Sequence, residues 1–191
     1  MASICYNATM PKNILVVYAH PSSHLSRVNR RLAEAARAVA GVRVHDLYDT
    51  YPDFYIDVAR EQALMEAADV VVFLHPLQWY SMPSLLKEWT DTVLQSGWAY
   101  GPGGTALAGK VYWLAATTGS AQQAYSAGGA HGRPFAEYLP PFEQTARLCH
   151  MRWEHPHILH GANHVDEATL QAHVDAFAER LTAFSTLLQE G

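Results

Sequence analysis

Basic charge is scarce in this sequence: thirteen Lys and Arg residues against eighteen Asp and Glu give a formal net charge of −5 over 191 residues. That balance offers no positive field for a phosphate backbone, so nucleic acid is excluded as a generic partner. Cysteine is nearly absent. Cys5 and Cys149 are the only two, too few for a disulfide framework or a cysteine-only metal site, and they suit a reducing compartment. No stretch approaches the ~18 consecutive apolar residues of a transmembrane helix, so direct membrane insertion is excluded and any membrane contact must pass through a partner. The first twelve residues, MASICYNATMPK, show neither a basic leader nor an apolar core segment and read as an N-terminal tail. The expected location is therefore cytoplasmic. Repeats, low-complexity segments and interdomain linkers are also missing, and residues 13–191 are expected to form a single domain.

What is present is an alternation of short apolar runs with helical patterns. ILVVYA (14–19), DVVVFLHP (69–76) and VYWLAATTG (111–119) are nearly uninterrupted by polar residues, as expected for strands buried on both faces of a parallel sheet. VRVHDLY (42–48) alternates well enough to be a further strand, and HILHG (157–161) is a weaker fifth. Helical spacing follows Ser26 as far as Gly41, then recurs over Glu61 to Ala68, after Pro83 through Leu85 or Leu86, Trp89 and Val93, over Phe142 to His150, and from Asp166 to Leu188. Alternating strands and helices with right-handed crossovers predict a three-layer α/β sandwich, a flavodoxin-like arrangement with a five-stranded parallel sheet in the order 2-1-3-4-5.

In such sheets ligands lie beyond the carboxyl ends of the strands, where the strand order reverses. That rule singles out three loops. AHPSSHLSRVN (19–29) places hydroxyls before a helix N-terminus, whose free N–H groups and dipole favour a phosphate; Arg27 or Arg30 could add charge. HPLQWYSMP (75–83) supplies Trp79 and Tyr80 as flat surfaces for a ring. TTGSAQQAYSAGGAHG (117–132) offers threonine hydroxyls and free backbone groups, then a phenol and an imidazole six residues apart. Each residue has a plainer use, as helix cap, packing aromatic or loop side chain. Together they describe a phosphate socket, an aromatic wall and a hydrogen-bonding edge, which are the parts of a flavin mononucleotide site.

The combination of YAHP with Ser26 and Asn29, HPLQWYSMPSLLKEW, GWAYG and TTGSAQQAYSAGGAHG resembles the NAD(P)H:quinone oxidoreductase family of flavodoxin-like flavoproteins, over nearly the whole stretch from Ile14 to Phe184. YPDFYID (51–57) and GWAYGPGGTALAGK (97–110) are most similar to the small bacterial ancillary flavoproteins of glutathione-regulated potassium efflux. The resemblance implies that His20, Ser26, Arg27, Val28 and Asn29 hold the flavin phosphate and ribityl chain. It implies further that Leu77, Gln78, Trp79 and Tyr80 line the isoalloxazine, partly through backbone N–H groups, and that Thr117, Thr118, Gly119 and Ser120 bind its pyrimidine side. Ser120 stands where the family usually has a second glycine. Tyr125 and His131 would be the catalytic pair, with the phenol donating to the ring edge that becomes negative and the histidine feeding it protons. The implied activity is a two-electron ping-pong transfer from NAD(P)H through FMN, or alternatively FAD, to a quinone. The implied assembly is a homodimer, with residues 97–109 and the region from Phe135 to Phe142 as candidate interface.

Other readings stay open. The chain could serve chiefly as a flavin-binding regulatory subunit on a membrane potassium efflux transporter, peripheral at the inner membrane, or as a flavodoxin-type electron carrier. Against the carrier stand the missing T-x-T-G-x-T loop and the Tyr125 and His131 pair. His155, His157, His160 and His164 invite a metal reading, but strand alternation would scatter them over different faces. Cys149 beside His150 reads as a buried cysteine rather than a nucleophile. Glu61, Glu66 and Asp69 read as a solvated acidic face.

Overall fold

Five consecutive apolar residues make Ile14–Tyr18 the first strand, β1, with every side chain buried. In the computed structural model, which describes residues 13–186, the chain continues through α1 (Val28–Arg37), β2 (Val42–Asp46), α2 (Leu47–Thr50), α3 (Val58–Ala67), β3 (Val70–Pro76) and α4 (Ser84–Val93). β4 (Val111–Thr117), α5 (Pro140–Leu148), β5 (Arg152–Leu159) and α6 (Glu167–Thr186) follow. The sheet is parallel throughout and has the order β2-β1-β3-β4-β5, the flavodoxin-like topology expected from the alternation. Residues 1–12, with Cys5, and residues 187–191 lie outside the described residues, and with them the expected helix end at Leu188.

Successive side chains of a strand point to opposite faces, so β1, β3 and β4 feed two cores. Leu15, Val17, Val71, Phe73, Tyr112 and Leu114 join Met65, Trp89 and Phe142 from α3, α4 and α5 on one face. Ile14, Val16, Val70, Val72 and Trp113 meet Leu32, Phe177 and Leu181 from α1 and α6 on the other.

The sequence limits needed correction where edges or caps intervene. β2 stops at Asp46 rather than Tyr48, because the Asp46 carboxylate accepts from the N–H groups of Tyr48 (3.1 Å) and Asp49 (3.4 Å) and caps α2. α3 starts at Val58, ahead of Glu61, with Asp57 accepting from the Arg60 N–H. α5 opens on Pro140 and Pro141, where missing N–H groups cost nothing. β5 begins at Arg152, five residues before His157, and is a half-exposed edge strand. Its Pro156 coincides with a register shift against Trp113 and Ala115, the setting in which a strand tolerates proline.

The acidic face expected at Glu61, Glu66 and Asp69 is split. Glu66 and Asp69 are exposed, but Glu61 is 0% exposed. Its carboxylate accepts from His45 Nε2 (2.9 Å), the Tyr51 hydroxyl (2.5 Å) and Trp89 Nε1 (2.8 Å). A helical position facing the sheet is buried whatever its charge, and these three donors make it tolerable. The glycine-rich segment 97–109 is folded onto the same core through Ala99 and Leu107, both fully buried. At Gly104 an added Cβ would lie 2.1 Å from the Tyr100 carbonyl oxygen, so that turn closes only on glycine.

Candidate functional site

The loops after β1, β3 and β4 do meet at the carboxyl rim of the sheet. A cavity of about 430 Å³ opens there, lined on one side by His20, Ser26, Arg27, Val28 and Asn29, and on the other by Leu77, Gln78, Thr117, Thr118 and Gly119. A second cavity of about 220 Å³ is walled by Trp79, Tyr80, Ser120, Tyr125 and His131. Leu77 and Gly119 line both, so the two form one groove running from a helix N-terminus to a cluster of aromatic rings. The thirteen residues expected to bind the flavin and the Tyr125 and His131 pair thus share one rim.

The polar end presents free donors to the cavity. The first N–H groups of α1 have no partner within the helix, and Ser26 accepts only the one from Asn29, at 3.1 Å. The Ser22 N–H donates to His20 Nδ1 at 3.1 Å, which leaves the proton of the imidazole on Nε2. Burial and the neighbouring His24 hold the His20 pKa below its usual value, so His20 is a neutral donor at its other nitrogen. Arg27 reaches across to the Val165 carbonyl at 2.6 Å and lies 3.7 Å from Glu167, tying the start of α1 to the start of α6. Arg30 pairs instead with Glu34 on the helix surface.

The middle of the groove departs from the expectations in two ways. Both threonine hydroxyls face protein groups: Asn29 Nδ2 donates to Thr117 Oγ1 at 2.8 Å, and Thr118 Oγ1 lies 2.7 Å from the Ser120 carbonyl oxygen and 3.0 Å from His160 Nδ1. The N–H groups of Leu77 and Gln78 are also committed, to the Thr117 carbonyl (2.7 Å) and the Ser81 carbonyl (3.0 Å). What remains at that loop are Trp79 and Tyr80. Gln78 and Ser81 exchange hydrogen bonds around them, and Trp79 and Tyr80 themselves have positive φ, 49° and 64°, the pattern of a type I′ turn. Asn and Gly normally occupy such positions; two aromatic residues there store about 1–3 kcal/mol each. Trp79 is 92% exposed, so its own packing does not repay that strain.

The aromatic end is tightly specified. The rings of Tyr125 and His131 stack with centroids 4.2 Å apart and an interplanar angle of 17°. His131 Nδ1 lies 3.3 Å from the Tyr80 hydroxyl, Tyr80 stacks on Tyr138, and the Tyr138 hydroxyl donates to the His131 carbonyl at 3.2 Å. This return of the chain depends on Gly129, where a Cβ would lie 2.3 Å from the Ala124 carbonyl oxygen. The Tyr125 and His131 pair is therefore a face-to-face stack rather than a phenol hydrogen-bonded to an imidazole.

Several lining residues were not anticipated from sequence. Leu25, Pro76, Ala162 and Asn163 line the polar cavity, and Phe135, Tyr138 and His160 pack around Tyr125. His160, Ala162 and Asn163 follow β5, which ends at Leu159 rather than at Gly161. The histidines of that region take separate environments. His155 is exposed, His157 stacks on His173 at 3.8 Å, and His160 bonds Thr118. Among the described residues no three His, Cys, Asp or Glu side chains are grouped to hold a metal. Cys149 is buried, which raises its thiol pKa.

The residues present suit a phosphorylated polyol carried on a flat ring. Asn29 Oδ1 is a buried acceptor without a protein partner in this structure, beside the anion socket, as a chain of hydroxyls would require. His131 Nε2 is likewise buried and unpartnered at the aromatic end.

A model of the family described as having the flavodoxin-like fold matches residues 12–181. The glutathione-regulated potassium-efflux system ancillary protein KefG of Yersinia enterocolitica is 45% identical over 173 residues, 91% of this chain and 94% of that protein. General stress protein 14 of Treponema denticola, solved in complex with FMN, superposes with a TM-score of 0.80 at 39% identity, covering 93% of this chain and 99% of that one. The NADPH-quinone reductase of P. pentosaceus gives a TM-score of 0.80 at 29% identity, over 89% and 98%.

Proposed function

This chain belongs to the family with the flavodoxin-like fold, and on that footing we propose that it is an FMN-carrying NAD(P)H:quinone oxidoreductase. The observation that carries the proposal is the single groove, anion-binding at one end and aromatic at the other, joined through Leu77 and Gly119. The FMN complex of the Treponema protein and the quinone reductase from P. pentosaceus support it. The same FMN complex favours the mononucleotide over FAD.

When bound, the flavin supplies hydride exchange with a nicotinamide and then with a quinone. The chain's part is to hold and to protonate. His20, through its Nε2–H, and the N-terminus of α1 would bind the phosphate, with Ser26, Arg27 and Val28 forming the socket. Asn29 Oδ1 would accept from a ribityl hydroxyl. The N–H groups of Trp79 and Tyr80 on one side, and of Gly119 and Ser120 on the other, would address the polar edges of the ring system. Thr117 and Thr118 act beneath them by fixing Asn29 and the turn at Ser120. The Tyr125 hydroxyl would donate to the edge that gains negative charge, a contribution that grows as water is excluded. His131, stacked on that ring and bonded to Tyr80, would hold the phenol in place and carry a proton on Nε2.

A second reading concerns context. The 45% identity to KefG over nearly the full length of both proteins favours an additional role as an ancillary subunit of a potassium efflux transporter. No helix among the described residues is long and apolar enough to cross a membrane, so attachment would be peripheral and through that partner. We further propose a homodimer, with residues 97–109 and Phe135 to Phe142 at its interface.

The test is direct. Pigment released from the purified protein should have the mass of FMN, and NAD(P)H should bleach it until a quinone restores the colour. Protein that binds no flavin after incubation with FMN, or whose flavin NAD(P)H leaves oxidised, would defeat the proposal.

A further inference from the structure

We infer that His160 is a positioning residue of this groove: an imidazole held in its Nδ1–H form that ties the turn at Thr118–Ser120 to the loop after β5. The consequence for flavin binding rests on the function proposed above, but the proton assignment does not.

The assignment follows from counting protons. Thr118 Oγ1 lies 2.7 Å from the Ser120 carbonyl oxygen and 3.0 Å from His160 Nδ1. A carbonyl oxygen only accepts, and the hydroxyl has one proton to give. That proton goes to Ser120. The hydroxyl oxygen then turns lone pairs towards Nδ1, and a bare Nδ1 would face it lone pair to lone pair. Nδ1 must therefore carry a proton and donate to Thr118. Burial lowers the pKa of His160, so the ring is neutral at pH 7 and Nε2 is bare. His20, at the opposite end of the groove, is held in the reverse tautomer by the Ser22 N–H.

The tie matters because of where it sits. The Ser120 carbonyl oxygen accepts from the Gly161 N–H at 2.9 Å as well as from Thr118, while the Thr118 N–H donates to the Leu159 carbonyl and the Ala162 N–H to the Thr118 carbonyl, both at 2.9 Å. The carbonyls of Thr118 and Ser120 and the Thr118 hydroxyl are thus engaged with the turn itself and the loop after β5, and Gly119 and Ser120 line the groove. The ring of His160 also lies 4.7 Å from Phe135 and 5.3 Å from Tyr125. One side chain thereby sets both the turn on the pyrimidine side and the seat of the phenol.

Asparagine and glutamine separate this role from mere bulk, since the Asn amide nitrogen can stand where Nδ1 is and the Gln nitrogen where Nε2 is. His160→Asn should keep FMN affinity within about 3-fold, whereas His160→Gln and His160→Leu should weaken it by about 10-fold, the effect of one hydrogen bond in a buried set. Independently of flavin, nitrogen-15 NMR of the purified protein should show His160 protonated at Nδ1, and Thr118→Val should abolish that preference. An Nε2–H tautomer, or equal affinities for the Asn and Gln variants, would overturn the inference. If the protein binds no FMN, the proposed function fails, and the NMR result alone decides the tie.

Discussion

The imidazole of His131 lies flat against the ring of Tyr125, at 4.2 Å and 17°, while its Nδ1 turns to the hydroxyl of Tyr80 at 3.3 Å. Stacking orients the phenol without consuming its hydroxyl. Tyr125→Phe should therefore preserve the stack and the affinity for FMN, yet slow flavin reduction by NAD(P)H about 10-fold or more, the range of general acid assistance. His131→Gln should slow it comparably. Stopped-flow bleaching at the wild-type speed in both variants would remove Tyr125 and His131 from the proton path.

The turn at Trp79 and Tyr80 holds two aromatic residues in a strained conformation. Trp79 has a φ of 49° and is 92% exposed, and asparagine adopts that conformation more readily. Trp79→Asn is expected to stabilise the protein by about 1 kcal/mol and to weaken FMN retention. Denaturant unfolding of the flavin-free variant and flavin content after dialysis measure the two halves; a less stable variant, or one that retains flavin fully, contradicts the assignment.

Glu61 should be among the residues whose loss costs most. Glu61→Ala leaves the donors of His45, Tyr51 and Trp89 buried without an acceptor, at a cost of about 3–5 kcal/mol in urea unfolding. Burial pushes the carboxyl pKa up, but those three donors more than offset it, and the group lies below its usual value. A carboxylate depressed in the fold contributes fully above its unfolded pKa of ~4.3, and that contribution is lost as the pH falls through the lower folded value. The wild type should accordingly lose more stability than Glu61→Gln below about pH 4. Parallel pH profiles for the two would show that Glu61 titrates normally.

Much of this was legible from composition and pattern alone. β1, β3 and β4 are buried on both faces, so their residues are apolar without interruption, and the alternation with helices leads to the sheet order. The sheet order in turn brings the loops after those strands to one rim, which singles out Ser26, Trp79, Tyr80 and Tyr125, while the resemblance to the quinone oxidoreductases adds His20 and Asn29. β5 has a weak and displaced signal because an edge strand keeps polar residues and Pro156, so His160 falls inside the expected strand 157–161 although it follows β5, which ends at Leu159.

Local periodicity reports burial one face at a time, and it determined the layers, the order of the strands and the end of the sheet at which a ligand would sit. Which way a hydroxyl turns, that Glu61 enters the core rather than the solvent, and that His131 doubles back on Tyr125 over Gly129 were decided by tertiary structure. Those outcomes depend on distances between segments remote in the chain, such as the 42 positions separating Thr118 from His160, and no spacing along the polypeptide encodes them.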